Sequence, residues 1–284
     1  MIETWKRTEL DRLKKAYGLE PSKSLGQNFL ADGNIANRIV SAAGIGPEDE
    51  VVEIGPGLGA LTVPIAGLCK RLIAVELDKK LMPALGAAVA GAGNVEIINE
   101  DFLKLEDDVF PKSFILIGNL PYYITTPLVT RAIELKPVRC VFMMQREVAD
   151  RLLSAPGKKT YGSITVFVQH HCDIEFVMNV SREVFAPKPG VDSAVVCLTP
   201  KRDADGSPRS DIDPDVENIM FRLVRSGFDM RRKTLRNSLA RAGYPEDVLL
   251  AAMAAADIDP IRRAETLSPE DFYRLAQRLL KKVQ

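Results

Sequence analysis

The stretch VVEIGPGLGALT, residues 51–62, runs from a short apolar segment through a glycine-rich turn into apolar residues at helical spacing. The run predicts a buried strand, and Ala60 to Leu68 predicts a helix. Glycines at 55, 57 and 59 let a backbone turn sharply from strand to helix and approach a ligand closely. The phosphate-binding pattern Gly-x-Gly-x-x-Gly would place its third glycine one residue later. Taken alone, the loop is a weak signal, and a tight strand–helix turn without a ligand is the alternative.

Outward from it the same texture repeats. RLIAVEL (71–77), VEII (95–98), FILIG (114–118) and CVFMM (140–144) each have the length and composition of a buried strand, with helical-looking stretches between them. Strands alternating with helices imply a parallel sheet with right-handed crossovers, an α/β domain. The second strand ends in AVELD, placing Glu76 21 residues after Gly55, where a carboxylate can accept both hydroxyls of a ribose. The third runs into NEDFL, where Asp101 can accept from an adenine amino group. Either acid alone could be a solvated loop carboxylate. Together with the glycine loop, on the sheet edge where ligands of open α/β sheets bind, they indicate a nucleoside-bearing cofactor.

The fourth strand runs into Asn119-Leu120-Pro121-Tyr122. The lone pair of an adenine amino nitrogen is delocalised into the ring, so methylating it requires acceptors that bind its hydrogens and favour a pyramidal nitrogen. The Asn119 side-chain oxygen and the Leu120 carbonyl can serve, Pro121 stiffens the loop, and Tyr122 offers a face for base stacking. A polar turn capped by proline, with Tyr122 in the core, is the plainer alternative.

Length and composition agree. The chain has 284 residues, 46% hydrophobic and 27% charged, typical of a globular protein. No apolar run has the ~18–20 residues of a membrane helix. The charged start, MIETWKRTELDRLKK, gives no indication of export, and four widely spaced cysteines fit reduced thiols in a cytoplasmic protein. His170 and His171 lack a second ligand cluster, so no metal is expected, and the two read as a half-buried pair. Net charge is zero, yet residues 222–241 hold seven basic residues and one acid, while 203–217 hold six acids and one arginine. Residues 199–217 read as a linker. Beyond them the pattern is helical, with Ser268 and Asp271 placed to cap the last helix.

The motifs GQNFL, EIGPGLGALT, AVELD, NEDFL and GNLPYYITTPL, followed by MMQREVADRL, YGSITVFVQ and VFAPKPGVDSAVV, resemble the S-adenosylmethionine-dependent ribosomal RNA adenine N6,N6-dimethyltransferases. The resemblance spans nearly the whole chain from Ser24. It implies a Rossmann-like methyltransferase domain, 1–200, with a seven-stranded sheet whose last strand is inserted antiparallel and an N-terminal segment, 1–30, closing over the cofactor. It also implies a small C-terminal all-helical RNA-binding domain, 201–284. YGSITVFVQHH, strand-like by its β-branched residues, becomes a helix. The implied cofactor residues are Gln27, Asn28, Leu30, Gly55, Gly57, Glu76, Leu77, Asp101, Phe102 and Asn119. Asn119, Leu120, Pro121 and Tyr122 form the implied catalytic loop, and Phe185 sandwiches the target base.

NLPYYITTP and the basic FDMRRKTLRNSL resemble the branch acting on two adjacent adenosines near the 3′ end of small-subunit (16S) RNA, in ribosome biogenesis. The alternatives are the branch acting on large-subunit RNA, which confers macrolide resistance, and an assembly factor whose catalysis is secondary. An NAD-dependent dehydrogenase is a distant further reading, disfavoured by the early third glycine. The implied RNA contacts are Arg222, Arg225, Arg231, Arg232, Lys233 and Arg236, in a monomer that engages 16S rRNA and no membrane. Gly190 departs from the polar or basic residue expected there.

Overall fold

The computed structural model describes residues 1–22, 24–203, 209 and 212–283. It divides into two compact units, residues 1–149 with 174–200, and residues 150–173 with 201–284. A single cut at residue 200 is therefore corrected: residues 150–173 belong with the helical unit. The buried Tyr161 donates its hydroxyl to the Leu267 carbonyl at 2.9 Å, and Arg231 donates to the carbonyls of Lys159 and Tyr161.

The first unit opens with α1 (Arg7–Ala16), the two-residue strand β1 (Phe29–Leu30) and α2 (Gly33–Ala43). Asp32 caps α2, its carboxylate accepting from the N–H groups of Asn34 and Ile35, and Gly44 ends it in the left-handed region. There follow β2 (Glu50–Ile54), α3 (Thr62–Ala66), β3 (Arg71–Val75), α4 (Met82–Ala88), β4 (Val95–Ile98), β5 (Ile115–Asn119), α5 (Thr125–Glu134) and β6 (Arg139–Gln145). The helices α6 (Arg146–Leu152) and α7 (Ser163–His171) precede β7 (Cys172–Val180), β8 (Phe185–Ala186) and β9 (Ser193–Pro200).

Seven strands form one sheet in the order β4-β3-β2-β5-β6-β9-β7, and β1 pairs separately with β8. The five strands from β4 to β6 are mutually parallel, and β9 runs antiparallel to β6. Near-continuous apolar runs suit such a sheet, because helices cover both faces of a parallel strand. Val51, Leu72, Ile117, Val141 and Val195 pack with Ala36, Ile39 and Val40 of α2. Met143 and Met144 are fully buried.

From β2 the chain continues to β3 on one side and returns to β5 on the other. This reversal is where open α/β sheets bind ligands, at the carboxyl ends of their strands. A Cβ on Gly118 would lie 2.7 Å from the Ile54 carbonyl oxygen, so only glycine lets β5 approach β2 this closely.

In the second unit α8 (Pro214–Asp229), α9 (Leu235–Leu239), α10 (Glu246–Ala255) and α11 (Pro269–Val283) join α7. Asp213 caps α8, and Ser268 and Asp271 cap α11 by reciprocal side-chain-to-backbone bonds of 3.1 and 3.2 Å. Met220, Leu223, Val224, Phe272, Leu275 and Leu279 form the centre of its core.

The segment YGSITVFVQHH is helical despite its β-branched residues. Thr165, Val166, Val168 and His170 are buried, and the Thr165 hydroxyl both accepts from Gly162 N–H and donates to the Arg151 carbonyl. Tertiary burial overrides local propensity here. The expected linker is shortened from both ends, since β9 extends to Pro200 and α8 begins at Pro214. Residues 204–208, 210 and 211 of it lie outside the described residues.

Gly118→Ala is expected to destabilise the protein by about 1–3 kcal/mol, because strand backbone must move to admit the methyl. Gly86→Ala is the control. It lies within α4 with nothing within 4 Å of the added Cβ, and should be stabilising by about 0.5–1 kcal/mol. Denaturant unfolding of both variants measures the difference.

Candidate active site

At the reversal of strand order a cleft open to solvent is lined by the Gly55–Gly57 turn, Glu76, Asp101 and the Asn119–Tyr122 loop. Gln27, Asn28, Leu30, Leu77 and Phe102 line it too, so the candidate cofactor residues converge on one place. Gly55, Gly57 and Gly59 have φ of +66°, +60° and +91°, which favour glycine.

Glu76 leaves the end of β3 only 6% exposed. Its Oε2 accepts from the Gly57 N–H at 2.9 Å and its Oε1 from the Asp78 N–H at 2.8 Å. Burial raises its pKa, and these two backbone bonds pull the other way. A carboxylate has about four lone-pair sites, so acceptor capacity remains for the hydroxyls of a sugar. The Asp101 Oδ1 accepts from the Leu103 N–H and caps a short 3₁₀ turn at the edge of the cleft.

The N-terminal segment is tied to this edge. The Gln27 amide donates to Asp78 Oδ2 at 2.8 Å, and the Asn119 amide donates to the Asn28 carbonyl at 3.2 Å. The second bond directs the Asn119 side-chain oxygen away as an acceptor. Leu120 N–H donates to the Met143 carbonyl, and the Thr125 hydroxyl donates to the Pro121 carbonyl, which holds the loop from both sides. The Tyr122 hydroxyl lies 2.7 Å from Ser193 Oγ, so the ring is fixed by its far end, and burial raises the phenol pKa.

Phe185 is placed differently from the sequence expectation. It is 1% exposed, belongs to the core with Leu30 and Ile39, and is not among the residues lining the cleft. In the β1–β8 ladder it stands opposite Leu30, and an unbroken apolar surround holds a phenylalanine better than a solvated cleft.

The basic stretch is not one helix. α8 ends at Asp229 and α9 begins at Leu235, leaving Arg231, Arg232 and Lys233 in the turn between. Arg231 bonds two carbonyls and Glu265, and Arg236 pairs with Glu246 at 2.6 Å. Arg222, Arg225, Arg232 and Lys233 are exposed, with Arg222 over the Tyr244 ring.

Sequence reasoning passed over Glu53 and Tyr123. Glu53 lines the cleft from β2 while 1% exposed. Burial pushes its carboxyl up to about 8, the Thr62 hydroxyl offsets part of that, and the Glu76 charge adds to it. The hydroxyl is close but outside hydrogen-bond geometry, since neither Glu53 Oε2 nor Thr62 Oγ1 has a hydrogen-bond partner among the described residues. A glutamate within an apolar strand ending at a glycine turn was the available signal. Tyr123 lines the same cleft at 53% exposure.

Residues 19–281 match the family described as ribosomal RNA adenine dimethylase. The chain belongs to that family. Proteins of Bacillus cereus and Bacillus anthracis named ribosomal RNA small subunit methyltransferase A are each 44% identical to it, over 98% of this chain and 97% of their own length. Among solved structures, a dimethyladenosine transferase from Plasmodium falciparum superposes with a TM-score of 0.78 at 28% identity, covering 90% of this chain and 98% of that one. A 23S rRNA methyltransferase, ErmE, gives 0.69 at 29% identity, covering 89% and 99%. The Asn-Leu-Pro-Tyr loop lines the cleft of a chain that belongs to an adenine dimethylase family. No helix among the described residues is long and apolar enough to cross a membrane.

Glu53 generates a pH prediction. Its ordinary pKa is 4.5 and its folded value about 8. Between these the folded chain keeps a proton that the unfolded chain has released, so the Glu53 contribution to stability falls as pH rises through this window, then levels. Glu53→Gln in the ligand-free protein should remove that decline, gaining on the wild type between about pH 4.5 and about pH 8. Denaturant melts across pH test it, and parallel profiles would contradict the assignment.

Proposed function

We propose that this chain transfers methyl groups from S-adenosylmethionine to N6 of two adjacent adenosines in the 3′-terminal hairpin of 16S small-subunit rRNA. It would act as a monomer in the cytoplasm, on the subunit or its precursor, in ribosome biogenesis. The observation carrying this reading is the convergence of Asn119-Leu120-Pro121-Tyr122 with the glycine turn, Glu76 and Asp101 in one cleft of a ribosomal RNA adenine dimethylase.

The cofactor residues fit. Glu76 would take the ribose hydroxyls, Asp101 the adenine amino group, and Gly55 and Gly57 would admit close approach of the ligand. When bound, S-adenosylmethionine supplies an electrophilic methyl carbon on a positively charged sulfur. The Asn119 side-chain oxygen and the Leu120 carbonyl accept the two amino hydrogens of the target adenine and direct the nitrogen lone pair into the cleft. With the methyl passed to that nitrogen and the bonding pair kept by sulfur, the alkylated nitrogen would give up a proton to solvent. Tyr122, held by Ser193, supports a base turned out of its stack. No protein nucleophile is needed.

The exposed Arg222, Arg225, Arg232 and Lys233 are suited to phosphate contacts, whereas Arg231 and Arg236 are engaged within the protein.

Asn119→Ala is expected to lower methylation by on the order of a hundredfold or more while leaving the fold intact. Incubation with labelled cofactor and undermodified small subunits, followed by mapping of labelled nucleotides, measures it. Full activity in the variant would overturn the mechanism, and label confined to large-subunit RNA would move the protein to that substrate. Neutralising Arg225, Arg232 and Lys233 together should weaken RNA binding and flatten the logarithmic salt dependence by roughly 0.7–0.9 per lost contact. Titration of RNA at several salt concentrations reads this slope.

A further inference from the structure

The helical unit contains a group of metal-ligating side chains that adenine methylation does not use. His170 and His171 close α7, and Glu217 stands in the first turn of α8, far along the chain. His170 Nε2 lies 3.2 Å from Glu217 Oε1, and His171 Nε2 lies 3.8 Å from the same oxygen. One ligand atom from each residue falls within 4.8 Å of the other two. The sequence alone shows an isolated histidine pair; folding supplies the third ligand.

The His170–Glu217 spacing suits a small tetrahedral cation, and the His171 nitrogen stands somewhat farther from the same oxygen. Ligand atoms about 2.0–2.2 Å from such an ion stand about 3.3 Å from one another. A hydrogen bond between His170 and Glu217 would explain the shorter distance alone. It would not bring a second imidazole nitrogen to the same oxygen. The surroundings favour a retained ion, because the His170 side chain is only 6% exposed and aromatic rings wall the group. His171 contacts Phe167 and Phe221 at ring separations of 4.7 and 5.7 Å, and His170 contacts Phe221 and Tyr273 at 5.8 and 5.5 Å. Such walls lower the polarity around the group and strengthen bonds between a cation and its ligands. Lys201 and Arg209 donate to the carbonyls of Gln169 and His170.

We propose that His170, His171 and Glu217 form a zinc-binding site, with two neutral imidazoles and one carboxylate as ligands and a fourth position for water or a further donor. The ion clips α7 to α8 across the intervening chain, and its binding energy adds to the stability of the helical unit. The site is independent of the methyl-transfer reading.

The test uses the full-length protein, stripped with a chelator and then titrated with zinc and, separately, with cobalt(II). The expected result is one tightly bound zinc, a rise in melting temperature with zinc, and the intense visible absorption of tetrahedral cobalt. His171→Ala and Glu217→Gln should each weaken zinc binding by at least the roughly 10–100-fold that loss of an outer partner costs. Glu217→Gln keeps the shape and hydrogen-bonding capacity of the side chain, so it remains informative if His171→Ala folds poorly. Absence of zinc binding by the wild type at micromolar metal, or equal binding by the wild type and Glu217→Gln, would overturn the proposal. The latter would place the metal elsewhere, for example on the cysteines.

Discussion

The bond between the Gly57 N–H and the Glu76 carboxylate joins the first turn of the sheet to the end of the neighbouring strand. A carboxylate 6% exposed would be unfavourable without such donors, and Gly57 and Asp78 supply them from the backbone. The glycine turn is therefore held in an open conformation by the acid expected to meet the ligand. Asp78 extends the arrangement by accepting from Gln27, which brings the N-terminal segment to the same edge. Around this group the parallel strands act as a rigid base, and the Asn119–Tyr122 loop takes its position from β5.

Much of this was legible in the residues because the first unit is built from short-range signals. Five apolar runs became five parallel strands, and each acid expected at the carboxyl edge lies there. What escaped the sequence depends on distant packing. Residues 150–173 join the helical unit through the Tyr161 hydroxyl on the Leu267 carbonyl and through Arg231 on the carbonyls of Lys159 and Tyr161, partners that cannot be read from local pattern. The lone Trp5 packs against Gly33, where a Cβ would lie 2.5 Å from its ring. Phe185 belongs to a motif with a strong resemblance, but its place opposite Leu30 puts it in the core. α7 required the resemblance, since propensity alone favours a strand.

The basic segment shows why a charge count does not identify a binding surface. Arg231 is exposed on its charged end, yet its guanidinium bridges two carbonyls and Glu265, so it holds the segment around Tyr161 against α8. Arg232, the next residue, has the same charge and sits in a turn where it can meet a phosphate. Neutrality of the whole chain conceals both the acidic stretch before α8 and the division of labour after it.

The two-residue ladder between Phe29–Leu30 and Phe185–Ala186 joins segments separated by some 155 positions. Closing so long a loop has an entropic cost that local strand pairing avoids. During synthesis, the segment bearing Gln27 and Asn28 emerges early and has no partner strand until residue 186 leaves the exit tunnel. The ladder that backs this segment is thus completed late, after the parallel strands beside it have all been synthesised.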